Sequence, residues 1–233
     1  MDGREYEVEA DFLAIGRTFA EYCRMLDLDA AELSGRAVLD CGGGAGAFTA
    51  TAAAVGADAT AVDPLYDRPA DALEPVLERA VEATDDQLRE KADGFVWDYY
   101  GDVDVRVRHL RAAAHRFLAD YEHHPDRYVA GALPDLPLEP DAVDLAVVAN
   151  LLFLYDDRLD LSFHVAALRD LARVAREEVR VFPLASLDAT RSEYVDPVAE
   201  RLRADGHAVE TREVPYEFQP GATEMLVVGG EAT

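Results

Sequence analysis

The residues with the plainest chemical potential are Asp40, Gly42, Gly43, Gly44 and Gly46, in the stretch AVLDCGGGAGAFTA at 37–50. Four glycines in five positions directly after an apolar run describe a strand that breaks into a turn. There, bare backbone N–H groups can approach a ligand closely. Two nucleotide-binding patterns fit at once: Gly42, Gly44 and Gly46 read as GxGxG, and Gly42, Gly44 and Ala47 as GxGxxA. Asp63 ends the next apolar run, DATAVD, where a carboxylate can accept hydrogen bonds from both hydroxyls of a ribose. A nicotinamide dinucleotide and S-adenosylmethionine both carry that ribose, so glycines and Asp63 leave the two open. Asp40, two positions before Gly42, favours the second. A carboxylate near the ligand's tail repels a pyrophosphate and suits a cationic amino group.

Seven apolar runs supply the strands that would hold these residues: RAVLD, DATAVD, DRYVAG, VDLAVVANLLF, EVRVFPL, HAVETREV and EMLVVGG. Helical patterns fall between several of them, at 9–26, 46–55, 161–176 and 193–205, the last ended by Gly206. Strands alternating with helices predict a largely parallel sheet, and 233 residues suit one α/β domain spanning 1–233, its first 30 residues helical. The stretch 67–125 is too long for a simple connection and carries two helical segments, near 70–92 and 103–121. Between them GFVWDYYGD holds Phe95, Trp97, Tyr99 and Tyr100, which either pin this insertion to the core or form a lid over a ligand.

The formal net charge of −25 is extreme for this length. Lys91 is the only lysine and Ile15 the only isoleucine, while alanine and aspartate dominate. This composition resembles that of proteins from salt-accumulating, halophilic archaea, which makes the charge a solvation adaptation and argues against non-specific nucleic-acid binding. No apolar stretch reaches the roughly 20 residues of a membrane span, and MDGREYEVEA lacks the regions of a signal peptide, so the expected location is cytoplasmic. Cys23 and Cys41 are too few for a disulfide framework and read as buried small residues.

With these residues in place, the chain resembles the class I S-adenosylmethionine-dependent methyltransferases. VLDCGGGAGAFT is similar to that family's first motif and ATAVDP to its second. GALPDLPLEPDAVDLAVVANLLFL is similar to the segment that opens the fourth strand. ALRDLARVA followed by EVRVFPL resembles the next helix and fifth strand, and MLVVGG the final strand. The likeness covers about 30–63 and 126–230. It implies a three-layer Rossmann-like fold, a seven-stranded mostly parallel sheet with an antiparallel last strand, and a helical insertion after strand 2. It also implies S-adenosylmethionine as cofactor and a methyl group passed to a small-molecule acceptor. RNA or protein methylation and cofactor binding without catalysis are the alternatives.

Carried over by residue, the resemblance implies that Asp40, Gly42, Gly44 and Gly46 surround the methionine moiety and that Asp63 holds the ribose. Ala132 and Leu133 would border the adenine, although the family often has an acidic residue where Ala132 stands, and Asp135 comes three residues late. REE replaces the usual Pro-Gly-Gly turn before the fifth strand. Asn150 would line the methyl-transfer channel, and Tyr6 and Tyr22, flanking the first helix, would cover the donor unless they only pack. Methyl transfer from a sulfonium needs alignment more than a base. Candidates for a base are Asn150, Tyr155, Asp156, Asp157 and His164, each of which reads more simply as a loop or helix residue. His109, His115, His123 and His124 lack the spacing a metal favours, so no metal is expected. Arg106, Arg108, Arg111 and Arg116 either attract an anion or pair with the acidic residues around them.

Overall fold

The computed structural model describes residues 15–231. Its strands are β1 Ala37–Cys41, β2 Asp58–Val62, β3 Tyr128–Val129, β4 Val143–Ala149, β5 Ala175–Phe182, β6 His207–Glu213 and β7 Glu224–Glu231. They form one sheet in the order β3-β2-β1-β4-β5-β7-β6, with β7 antiparallel to both β5 and β6 and the remaining pairs parallel. The helices are α1 Phe19–Met25, α2 Phe48–Ala54, α3 Ala70–Glu90, α4 Val103–His123, α5 Leu161–Val174 and α6 Val195–Ala204. A single helical turn at Ala30–Leu33, which no sequence pattern announced, leads into β1.

The central strands are buried on both faces, which is why they read as apolar runs rather than as alternation. Val38, Leu145 and Val147 pack with Tyr22, Met25 and Phe48 of α1 and α2. Their neighbours Leu39, Ala146 and Val148 pack on the other side with Leu168 and Leu171 of α5 and Val198 and Leu202 of α6. Helices on both faces give the three layers the sequence predicts.

The first helix is shorter than predicted. Within the described residues helix begins at Phe19, because Thr18 and Glu21 form a capping box in which each side chain meets the other's backbone N–H. Ile15, Gly16 and Arg17 therefore precede the helix without regular secondary structure, and the predicted part at 9–14, with Tyr6, lies outside the described residues. The other end of α1 is fixed by Arg180 on β5. Its Nη1 donates to the carbonyls of Leu26 at 2.9 Å and Asp27 at 2.6 Å.

DRYVAG contributes only Tyr128 and Val129 to the sheet. β4 stops at Ala149, because Asn150 turns to φ +56°, a left-handed conformation that no strand continues. The insertion forms α3 and α4, packed on each other. Leu73 and Leu77 of α3 and Phe117 of α4 close over Ala61, Leu65 and Tyr66 at the β2 edge. The aromatic segment between them is tied down by packing: Phe95 stacks on Phe218 with centroids 4.6 Å apart, and Tyr100 meets the same ring edge-on at 5.1 Å. Cys41 is buried as expected, but Cys23 is only half-buried.

Candidate functional site

Strand order reverses between β1 and β4, and in open α/β sheets the crevice beyond the strand ends at such a point is where ligands bind. The glycine turn after β1 and the Ala149–Leu151 segment after β4 both line a cavity there. Gly42 and Gly44 hold φ of +72° and +50°, a region that side chains with a Cβ rarely adopt. Gly43, which neither glycine pattern requires, is needed for space. A Cβ on it would stand 2.8 Å from Tyr66 Oη and 2.9 Å from Asp40 Oδ2.

Asp63 lines the cavity directly after β2. Its Oδ2 accepts from the Gly44 N–H at 3.0 Å and its Oδ1 from the Leu65 N–H at 2.8 Å, so the carboxylate also fixes the glycine turn. Burial raises its pKa, against the pull of those two N–H groups. Tyr66 braces the same turn by donating from Oη to the Gly44 carbonyl at 2.9 Å. The insertion holds its ring, with Phe117 at 5.7 Å and Tyr121 at 5.8 Å between centroids.

Asp40 sits beneath the turn rather than in the cavity wall, 2% exposed. Its carboxylate accepts from Tyr22 Oη at 3.1 Å and, more weakly, from Thr49 Oγ1 at 3.4 Å. Burial pushes its pKa up to about 7, and nearby Asp63 adds to the rise. Tyr22 itself lines the cavity, so the charge of Asp40 reaches a ligand through that hydroxyl and across Gly43.

A strap that sequence reasoning missed closes one side. Gly16 packs so tightly on the glycine turn that a Cβ would fall 2.0 Å from the Ala45 carbonyl oxygen, and the Arg17 carbonyl accepts from the Ala47 N–H at 2.9 Å. Ile15, Gly16 and Arg17 all line the cavity. Two signals for this were present: an isolated glycine inside a helical pattern, and TFAE at 18–21, a capping-box sequence that starts the helix after it.

Of the remaining residues singled out by sequence, Asn150 and Tyr155 line the cavity. The Asn150 amide points at Met25 Sδ, 3.6 Å away, while its backbone N–H donates to the Phe182 carbonyl at 2.7 Å. Gly46 lies outside the lining and is packed against the Gly43 carbonyl. Ala132 and Leu133 are also outside it, in a tight turn where Ala132 bridges to Asp135. His164 is fully buried, stacks on Phe153 at 5.0 Å and donates from Nδ1 to the Asp160 carbonyl at 2.8 Å. It belongs to the core beneath α5, and burial lowers its pKa. Asp156 and Asp157, half-buried and exposed, do not line the cavity. Trp97, Tyr99 and Tyr100 do not either, so among the described residues the cover over the cavity is the strap.

Among the described residues no group of three or more His, Cys, Asp or Glu is placed to hold a metal ion, and no helix is long and apolar enough to cross a membrane.

No protein-family model matches the chain. An uncharacterized protein of Methanocaldococcus jannaschii is 26% identical over 219 residues, which span 94% of this chain and 96% of that protein. Among solved structures, the magnesium protoporphyrin IX methyltransferase of Synechocystis PCC 6803 with bound SAM aligns at a TM-score of 0.47. It is 12% identical, over 84% of this chain and 71% of that one. A TehB-like SAM-dependent methyltransferase of Corynebacterium glutamicum aligns at 0.46 and 17% identity, over 87% of each chain. A SAM-dependent methyltransferase of Aquifex aeolicus aligns at 0.42 and 16% identity, over 89% of this chain and 92% of that one. All three scores lie below 0.5, so strand order and cavity, rather than these likenesses, carry the functional reading.

Proposed function

We propose that the chain is an S-adenosylmethionine-dependent methyltransferase that acts on a small molecule in the cytoplasm of a salt-adapted cell. The observation that carries this is the occupied start of α2. A dinucleotide's pyrophosphate binds at the helix that follows the glycine turn, on its free N–H groups. Here the strap takes the Ala47 N–H with the Arg17 carbonyl and packs Gly16 on Ala45, while two carboxylates, the buried Asp40 and the half-buried Asp63, stand on either side of Gly43 and Gly44. That surrounding disfavours a phosphate and suits an ammonium group.

The residues present fit the donor. Asp63 keeps lone pairs for a ribose, the turn from Gly42 to Gly44 leaves room for a methionine chain, and Tyr22 over Asp40 offers an ammonium a hydroxyl oxygen backed by a carboxylate. S-adenosylmethionine would supply a sulfonium methyl group, which passes in line to the acceptor's nucleophile as the carbon–sulfur bond breaks and S-adenosylhomocysteine leaves. The chain's own work is to orient and to exclude water. The strap covers one side, and Asn150, Leu151 and Tyr155 wall the other. Asn150 and Tyr155 are the cavity residues that could hold the acceptor's proton, whereas His164 is walled off in the core.

Methylation of RNA is the weaker reading because Arg106 is 1% exposed, which leaves only Arg108, Arg111 and Arg116 exposed on α4 in a chain whose formal net charge is −25. Calorimetry in molar KCl with S-adenosylhomocysteine tests the assignment. Binding to the wild type is expected, and Asp63→Ala should weaken it at least about tenfold, since two charge-assisted hydrogen bonds are lost. Binding of NAD and none of S-adenosylhomocysteine overturns it.

A further inference from the structure

Beside the cavity, α1, α4 and the segment before β7 enclose a cluster whose charges do not balance. Glu21, fully buried, is approached by two guanidinium groups, Arg17 Nε at 3.8 Å and Arg106 Nη1 at 3.4 Å, both directed at the same oxygen, Oε1. Those distances are long for charge-assisted hydrogen bonds, which run about 2.7–2.9 Å. The reason is that the carboxylate is already engaged. Oε2 accepts from the Thr18 N–H at 2.8 Å and from Thr18 Oγ1 at 2.6 Å, and Oε1 accepts from Tyr100 Oη at 2.5 Å.

Arg17 Nε and Arg106 Nε and Nη1 consequently have no hydrogen-bond partner among the described residues, although all three are buried. Tyr100 and Tyr216 bond to each other at 2.7 Å, and burial raises the pKa of both, so they bring no negative charge. Burial and the neighbouring Arg17 hold Arg106 below its ordinary pKa. Among the described residues two cations thus face one spent carboxylate, a costly arrangement in a desolvated space that the Tyr100 and Phe218 rings, 5.0 and 5.6 Å from the Arg106 guanidinium, offset only in part. It is also an unexpected one in a chain with 47 acidic and 22 basic residues, where a second carboxylate was available almost anywhere.

We infer that Arg17 and Arg106 form a recognition site for a carboxylate, and that this carboxylate belongs to the methyl acceptor. The assignment to the acceptor rests on the methyltransferase reading and on position. The donor's ribose and tail fall on the β1 and β2 side, at Asp63 and the glycine turn, whereas the cluster lies toward β5, where Tyr216 meets Phe182 with ring centroids 5.8 Å apart. Arg17 lines the cavity and so joins the two regions. The cluster reaches solvent beside Tyr99 at His109, which is 30% exposed with Nδ1 3.4 Å from Glu21 Oε2. An acceptor whose carboxylate spans the two guanidinium groups leaves its remainder pointing into the cavity at Arg17.

Acetate is the probe, exchanged for chloride at constant ionic strength and followed by melting temperature. The wild type should show a saturable rise with acetate, and Arg106→Met should weaken the apparent affinity at least about tenfold while still binding S-adenosylhomocysteine. Glu21→Gln, which keeps the capping-box geometry and removes the competing charge, should tighten acetate about tenfold. The wild-type response should persist when S-adenosylhomocysteine is saturating. Equal acetate responses in the wild type and Arg106→Met overturn the site. Should Arg106→Met not fold, a Glu21→Gln response no stronger than wild type overturns it instead. Loss of the response under saturating S-adenosylhomocysteine assigns the carboxylate to the donor tail and overturns the acceptor. If the wild type does not bind S-adenosylhomocysteine at all, the methyltransferase reading fails, and the acetate comparison still decides whether the anion site exists.

Discussion

Asp40→Asn should stabilise the protein and weaken its ligand, with both effects dependent on pH. In the folded chain burial carries the Asp40 pKa from 3.8 up to about 7. A carboxylate whose folded pKa is raised costs nothing where both states are protonated, below about pH 4. The cost grows as pH rises and is complete above about pH 7. At about 1.36 kcal/mol per pH unit, holding Asp40 ionised at pH 8 costs about 4 kcal/mol. An asparagine has no charge to desolvate, but it accepts more weakly from Tyr22 and Thr49, so the net gain at pH 8 is about 2–4 kcal/mol. Asp63 shifts in the same direction but is common to both proteins, so the difference between them isolates Asp40. Urea denaturation in molar KCl should show the advantage of Asp40→Asn growing by about 2–3 kcal/mol between pH 5 and pH 8. An ammonium near the turn would draw Asp40 into its ionised form. Wild-type affinity for S-adenosylhomocysteine should therefore rise by up to about tenfold per pH unit below 7, with release of a proton. Calorimetry in buffers of different ionisation heat measures that proton. A stability difference that stays flat from pH 5 to pH 8 refutes the burial argument. An unchanged proton count in Asp40→Asn refutes the coupling to the ligand.

Gly16→Val puts a side chain where a Cβ already falls 2.0 Å from the Ala45 carbonyl oxygen, so the strap should lift. Affinity for S-adenosylhomocysteine should drop at least about tenfold with little change in melting temperature, and unchanged affinity would remove the strap from the site. His164→Phe fills a fully buried slot against Phe153 with another flat ring. Its effect should fall on stability, within about 2 kcal/mol, and loss of ligand binding would return the imidazole to the list of site residues. Melting temperature should climb steeply between 0.1 and 2 M KCl, because screening at about 3 Å in molar salt relieves the self-repulsion of a chain at −25. A salt-independent melting curve would detach the acidic composition from salt adaptation.

The sheet was legible because its central strands are apolar on both faces and their breaks are chemical: glycines after β1, Asp63 after β2, Asn150 after β4. The positions of Asp63, Gly42 and Gly44 followed from the same breaks. What stayed hidden depends on contacts between distant residues. No local pattern says that Gly16 lies on Ala45, that Tyr66 reaches back to the Gly44 carbonyl, or that Glu21 is shared between Arg17 and Arg106. The place of His164 was open for a related reason. A lone His on an amphipathic helix carries the same letter whether it faces a cavity or the core, and only the burial of α5 against β4 and β5 separates the two.

The insertion reaches the site through its packing. Its helix α4 supplies Phe117 and Tyr121 to hold Tyr66, and Tyr66 holds Gly44, so one face of the helix fixes the floor of the cavity. The same helix supplies Arg106 and His109 to Glu21, whose partner in the capping box, Thr18, follows directly on Arg17 at the end of the strap. Floor and strap are thus both referenced to α4, and a shift of that helix by even part of an ångström must move them together. Chemistry that depends on alignment is sensitive to displacements of that size. The contacts of the insertion, read from sequence as either packing or lid, therefore bear on the geometry of the site through packing.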